Sequence, residues 1–139
     1  MGNNASIKKL SYEDIQIVQK SKDYILINTL TSEEQKCLIT GTIDIQKEVA
    51  IINNSIKNAK NINIVIYGMN YDDETIYKKY DQLKSLGFTN VYIYMGGLFE
   101  WLLLQDIYGK DLFNTTNEEL DILKFRPKSF FSTNLLLNE

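Results

Sequence analysis

The 139-residue chain contains no histidine, one cysteine (Cys37), one proline (Pro127) and, among its fifteen basic residues, one arginine (Arg126). These scarcities exclude histidine acid/base chemistry, Cys/His nucleophile pairs, histidine-ligated metals, zinc clusters and intrachain disulfides. A lone thiol suits a reducing compartment. No run of about 18 apolar residues is long enough to span a bilayer, and no charged, apolar and cleavage-site pattern marks secretion. A net charge of −3 argues against a nucleic-acid groove, which needs a strongly basic face. What remains is a globular chain, 44% hydrophobic, of a size to bury one core.

Met1-Gly2-Asn3-Asn4-Ala5-Ser6 matches the M-G-x-x-x-[ST] signal for myristoylation of Gly2, and Lys8 and Lys9 follow directly. A single myristoyl chain gives only marginal, reversible membrane binding, and two lysines near an anionic leaflet add roughly 1 kcal/mol each. The expectation is a flexible terminus over residues 1–10 that tethers the protein weakly to a membrane surface. The location that follows is cytoplasmic and peripheral to a membrane, in a eukaryote or a virus that infects one. The alternative is a polar terminus in which Gly2 is incidental or a cloning remnant.

Along the chain, apolar strand-length runs alternate with helical spacing. Ser11-Tyr12-Glu13-Asp14 reads as a capping box opening a helix with Ile15 and Val18 inward, and Tyr24–Ile27 follows as a strand. Thr31-Ser32-Glu33-Glu34 predicts a short second helix, on which Cys37 falls. Val49, Ile52 and Ile56 share one face of the next helix, and Ile62–Tyr67 is the strongest strand. Asp72-Asp73-Glu74 opens a helix with Ile76, Tyr80 and Leu83 inward, and Gly87 stands at its C′ position. Val91–Met95 is a strand, Leu98–Ile107 an apolar helix, and Thr116-Asn117-Glu118-Glu119 a capping box for a helix to about Leu123. Strands apolar on both faces, alternating with helices, predict a parallel sheet covered on both sides.

Three motifs in this order resemble the rhodanese-like domain family over roughly residues 11–107. They are Ile39-Thr40-Gly41-Thr42-Ile43; the strand Ile64-Val65-Ile66-Tyr67 running into a short loop and helix; and Leu86-Gly87-Phe88-Thr89-Asn90-Val91 followed by Gly96-Gly97-Leu98-Phe99-Glu100-Trp101. The resemblance implies a three-layer α/β fold, a central parallel sheet with helices on both faces, and an active-site loop directly after Tyr67. Residues 108–139 form an extension that packs on the domain or docks elsewhere. Active members of the family place a cysteine first in that loop and carry sulfane sulfur on it. Loop N–H groups and the positive end of the next helix stabilise the anion.

In this chain the loop reads Gly68-Met69-Asn70-Tyr71-Asp72-Asp73, with glycine where the nucleophile would stand and carboxylates at the helix N-terminus. The family's Asp and Arg after the first strand are altered to Asn28 and Leu30, and Arg126 is far away in sequence. Cys37 reads as a small core residue. Asp72, Asp73 and Glu74 read first as helix caps, with a metal site or recognition of a cation as the alternatives. Tyr67, Tyr71, Tyr92, Tyr94 and Phe99 either pack in the core or crowd the loop mouth, where an aromatic, acidic pocket would take a lysine or arginine side chain.

The expectation is a catalytically inactive rhodanese-like domain acting as a binding or scaffold module, with no catalytic residues, metal or cofactor. Its surface for a protein or peptide partner, cationic on one reading, is the loop Gly68, Met69, Asn70, Tyr71, Asp72 and Asp73. Two alternatives stand beside it: a sulfurtransferase with an atypical nucleophile, and a structural component of a virion or membrane coat.

Overall fold

The strand Asn63–Tyr67 (β3) runs through the middle of the molecule, and its residues from Ile64 to Tyr67 are buried. The computed structural model describes residues 7–132, and around β3 it arranges β1 (Lys8–Leu10), β2 (Tyr24–Asn28) and β4 (Asn90–Tyr94) in the order β1-β4-β3-β2. Every pairing is parallel, with Leu26, Val65 and Tyr92 level across the three longer strands. The helices are α1 (Tyr12–Gln19), α2 (Ile45–Asn58), α3 (Thr75–Ser85) and α4 (Gly97–Tyr108).

Side chains alternate across the pleat, so each strand feeds two cores. Leu26, Val65, Tyr67 and Tyr94 pack with Ile15 and Val18 of α1 and Leu98, Trp101 and Leu102 of α4. Ile27, Ile64, Ile66 and Ile93 pack on the other face with Ile52 of α2 and with Ile76 and Leu83 of α3. The parallel sheet covered on both faces is thus the architecture observed.

Local signals explain the helix ends. The Ser11 N–H donates to the Asp14 carboxylate at 2.9 Å, one half of the capping box at the start of α1. Gly87, at φ +102°, ends α3 in a Schellman motif: its N–H donates to the Lys84 carbonyl and the Phe88 N–H to the Leu83 carbonyl. Phe88 and Leu83 then meet in the same core.

The structure corrects four expectations. Lys8–Leu10, placed by sequence in a flexible terminus, is the edge strand β1; a three-residue run with two exposed lysines carries no strand pattern of its own. Thr31–Glu34 opens only a single 3-10 turn, Ser32–Glu34, so Cys37 lies beyond it on no helix. Thr116–Leu123 is not a helix either, and a 3-10 turn covers only Ile122–Phe125. Thr116 is engaged elsewhere: its N–H donates to the Leu38 carbonyl, while its hydroxyl accepts from the Leu38 N–H. Finally, Val49 faces solvent, because α2 turns Glu48, Ile52 and Ser55 inward, with Glu48 paired to Lys79.

Beyond α4 the chain completes the first core. Phe113 and Phe125 are buried there, Trp101 packs edge-on against Phe113 at 5.1 Å, and Ile39 bridges Thr115. Gly2 and Leu135-Leu136-Leu137 lie outside the described residues. Among those that are described, no helix is long and apolar enough to cross a membrane.

Candidate functional site

The loop after β3 begins at Gly68, at the C-terminal edge of the sheet where open α/β folds place their ligands. Its backbone is clamped against the start of α4. The Leu98 N–H donates to the Gly68 carbonyl at 3.0 Å and the Phe99 N–H to the Met69 carbonyl at 2.9 Å. This approach requires Gly97. Its φ is +68°, and a Cβ there would stand 2.8 Å from both the Asn70 nitrogen and the Gly68 carbonyl oxygen.

Asp73 turns its carboxylate back into the loop. It accepts from the Met69 N–H at 2.8 Å, the Thr75 N–H at 3.0 Å and the Thr75 hydroxyl at 2.6 Å. Its Oδ2 also fills the space above Gly68, 2.5 Å from where a Cβ would be, with Ile76 Cγ2 at 2.9 Å from the same point. Two N–H groups at this loop and helix start, those of Met69 and Thr75, are therefore occupied by the chain's own carboxylate instead of a bound anion. The helix α3 begins at Thr75 and not at Asp72: its N-cap is Glu74, whose side chain makes no capping hydrogen bond, while Asp73 engages the first helical residue from outside the helix.

Asn70 is buried and fixes both sides of the loop. Its Oδ1 accepts from the Asp72 N–H at 2.8 Å, and its Nδ2 donates to the Phe125 carbonyl at 2.8 Å. The loop after β2 is tied in as well: Asn28 Oδ1 accepts from the Leu30 N–H and from Gln35 Nε2, and the Thr29 hydroxyl donates to Thr75 Oγ1 at 2.7 Å. Asn28 thus holds backbone, and Leu30 is buried in the core.

The aromatic residues do not gather at the loop mouth. Tyr67 and Tyr94 are buried; the Tyr67 hydroxyl accepts from the Ile39 N–H and pairs with Thr42, and Tyr94 donates to Glu100 at 2.6 Å. Tyr92 packs with Tyr24 under Lys8, and Phe99 packs against the core. Tyr71 alone is open, 64% exposed, so no aromatic cage forms. Cys37 is buried, its Sγ 3.2 Å from the Asn117 carbonyl oxygen, and burial pushes its thiol pKa up. A protonated thiol under this segment is a packing group and a poor nucleophile. Among the described residues, no three Asp, Glu or Cys side chains converge as a metal ligand set.

Sequence distance misplaces Arg126. The chain returns after the 3-10 turn Ile122–Phe125, and residues 126–129 line, together with the 69–75 loop, a cleft of about 940 Å³. The signal missed in the sequence is Asn70: a buried amide needs a partner, and here that partner is the Phe125 carbonyl, 55 residues on.

The model of the rhodanese-like domain family matches residues 11–104. No curated protein matches the sequence. Among solved structures, the BH2092 protein of Bacillus halodurans is similar with a TM-score of 0.59 and 18% identity, over 92% of this chain and 89% of that one. The rhodanese-like domain of the Alr3790 protein from Anabaena sp. has a TM-score of 0.56 and 18% identity, over 87% and 85%. A single-domain sulfurtransferase of Saccharomyces cerevisiae has a TM-score of 0.53 and 17% identity, over 80% and 98%. With a family match across most of its length and a parallel sheet of the same architecture, this chain belongs to the rhodanese-like domain family, which includes sulfurtransferases.

Proposed function

We propose that this rhodanese-like domain does not transfer sulfur and serves as a binding module, with the loop Gly68–Asp73 as its recognition surface. One observation carries the reading: the Asp73 carboxylate lies over Gly68 and takes the Met69 and Thr75 N–H groups. In the family pattern a cysteine sulfur would stand at Gly68, and those donors would steady its negative charge. Here there is no side chain to carry sulfur, and a fixed negative charge occupies its place.

A thiosulfate:cyanide sulfurtransferase assay on the full chain, beside a Cys37→Ala control, tests this. The expected result is no turnover by either protein. Robust turnover that disappears in the control would overturn the reading.

The same proposal includes a tether. The M-G-x-x-x-S start supports lipidation of Gly2, and Lys8 and Lys9, both exposed on β1, would add attraction to an anionic leaflet. Co-expression with an N-myristoyltransferase followed by intact-mass measurement should show the myristoyl adduct. An unmodified Gly2 would remove the tether and leave the binding module.

A further inference from the structure

The cleft between the 69–75 loop and the segment 124–129 has walls of opposite sign. Asp72 and Glu74 are exposed on one wall; Arg126 and Lys128 are exposed on the other. Among the described residues none of these four charges is in a salt bridge, whereas Lys124, at the base of the second wall, is paired with Glu119. Arg126 gives one donor to the Leu123 carbonyl at 2.8 Å, leaving most of its guanidinium unengaged. Beside Glu34 and Asp73, whose carboxylates accept local hydrogen bonds, and the paired Lys124, two cations and two carboxylates thus border one cleft without neutralising each other.

The second wall is held in place. Phe125 is buried in the core and its carbonyl accepts from Asn70, while Pro127 stiffens the backbone between the two free cations. A wall positioned before a ligand arrives costs little ordering on binding. The floor between the walls is mixed, with Leu30 and Met69 beside Thr29 and Thr75. A volume of this order takes a short stretch of chain, not a single ion.

We infer that this cleft binds an extended peptide segment of mixed charge, whose basic side chain meets Asp72 and Glu74 and whose acidic side chain meets Arg126 and Lys128. The inference rests on the 68–73 loop being a recognition surface and adds the extension as its second half. A purely cationic partner would satisfy one wall and be repelled by the other.

The test is selection of a phage-displayed random dodecapeptide library on the immobilised full chain, with Asp72→Asn/Glu74→Gln and Arg126→Gln/Lys128→Gln variants selected in parallel. All four side chains are exposed, and unchanged thermal melts of the variants would verify their folding. Peptides enriched on the parent should carry both Lys or Arg and Asp or Glu. The basic preference should vanish on the first variant and the acidic preference on the second, with affinity of a parent-selected peptide falling about fivefold per lost ion pair. Peptides that are only basic, and that bind the Arg126→Gln/Lys128→Gln variant as well as the parent, would overturn the two-walled site and leave the loop as a cationic-partner surface. Enrichment indifferent to both variants would overturn the loop surface itself.

Discussion

Asp73 and Gly68 occupy one another's space: the Asp73 Oδ2 lies 2.5 Å from the position a Cβ on Gly68 would take. The loop is therefore built for a residue without a side chain at its first position. Gly68→Ala should displace the carboxylate from the Met69 N–H and press on Ile76, at a cost of about 1–3 kcal/mol in urea denaturation. Gly68→Cys alone should stay unmodified in thiosulfate. With Asp73→Ala added, the freed N–H groups should allow a persulfide to form as sulfite leaves, seen as the mass of one added sulfur. A persulfide on the single variant would mean that the carboxylate does not block the cradle.

Gly97 should be among the least replaceable residues of the chain. Its φ of +68° and the 2.8 Å approach to Asn70 N and Gly68 O place backbone, which cannot swing away, where a Cβ would go. Gly109 provides the comparison, with φ +102° and nothing within 4 Å. Gly109→Ala should cost about 1–3 kcal/mol from conformation alone, and Gly97→Ala more than that, from conformation and overlap together. Amide exchange at Leu98 and Phe99 should also rise in the Gly97 variant. Equal losses at the two glycines would show that the close approach contributes nothing.

The sheet was readable because its three main strands are buried on both faces and therefore apolar without interruption. Ile64 to Tyr67 needs no partner to be recognised. The loop's composition was readable too, since the glycine and the carboxylates are adjacent in sequence. What stayed hidden were long-range pairings that replace local signals. Thr116 has the sequence of a helix cap but its polar groups meet Leu38, 78 residues away. Lys8–Leu10 becomes a strand only because β4 offers an edge. Arg126 looks remote until Asn70 is seen to hold Phe125.

That last pairing makes Asn70 a joint between loop and extension. Asn70→Ala would leave the buried Phe125 carbonyl without its donor and the Asp72 N–H without its acceptor. The expected loss is about 1–3 kcal/mol of global stability. The local effect should be larger: trypsin cleavage after Lys124 or Lys128 should accelerate several-fold beyond what the lower global stability explains. Cleavage that tracks only the stability change would show that Phe125 burial alone holds the extension.

The hydroxyl of Tyr67 joins β3 to the Ile39–Thr42 turn, and its burial sets the response of the fold to alkali. Burial pushes the Tyr67 pKa well above its ordinary value, against the smaller opposing effects of Thr42 and Ile39. Tyr94 is raised by burial and by Glu100, and Cys37 is raised chiefly by burial. Each group is neutral when protonated, and the folded state holds the proton more tightly than the unfolded chain. Stability from this source is therefore full below the ordinary values of 9.0 for Cys37 and 10.0 for the tyrosines, and falls as pH rises past them. Urea midpoints should be level from about pH 7 to pH 9 and drop steeply above pH 10. Tyr67→Phe should lower the neutral-pH midpoint, costing about 1–3 kcal/mol because the Ile39 N–H loses its acceptor. It should also flatten part of the alkaline slope, leaving the share of Tyr94 and Cys37. A slope unchanged by Tyr67→Phe would place the alkaline transition elsewhere.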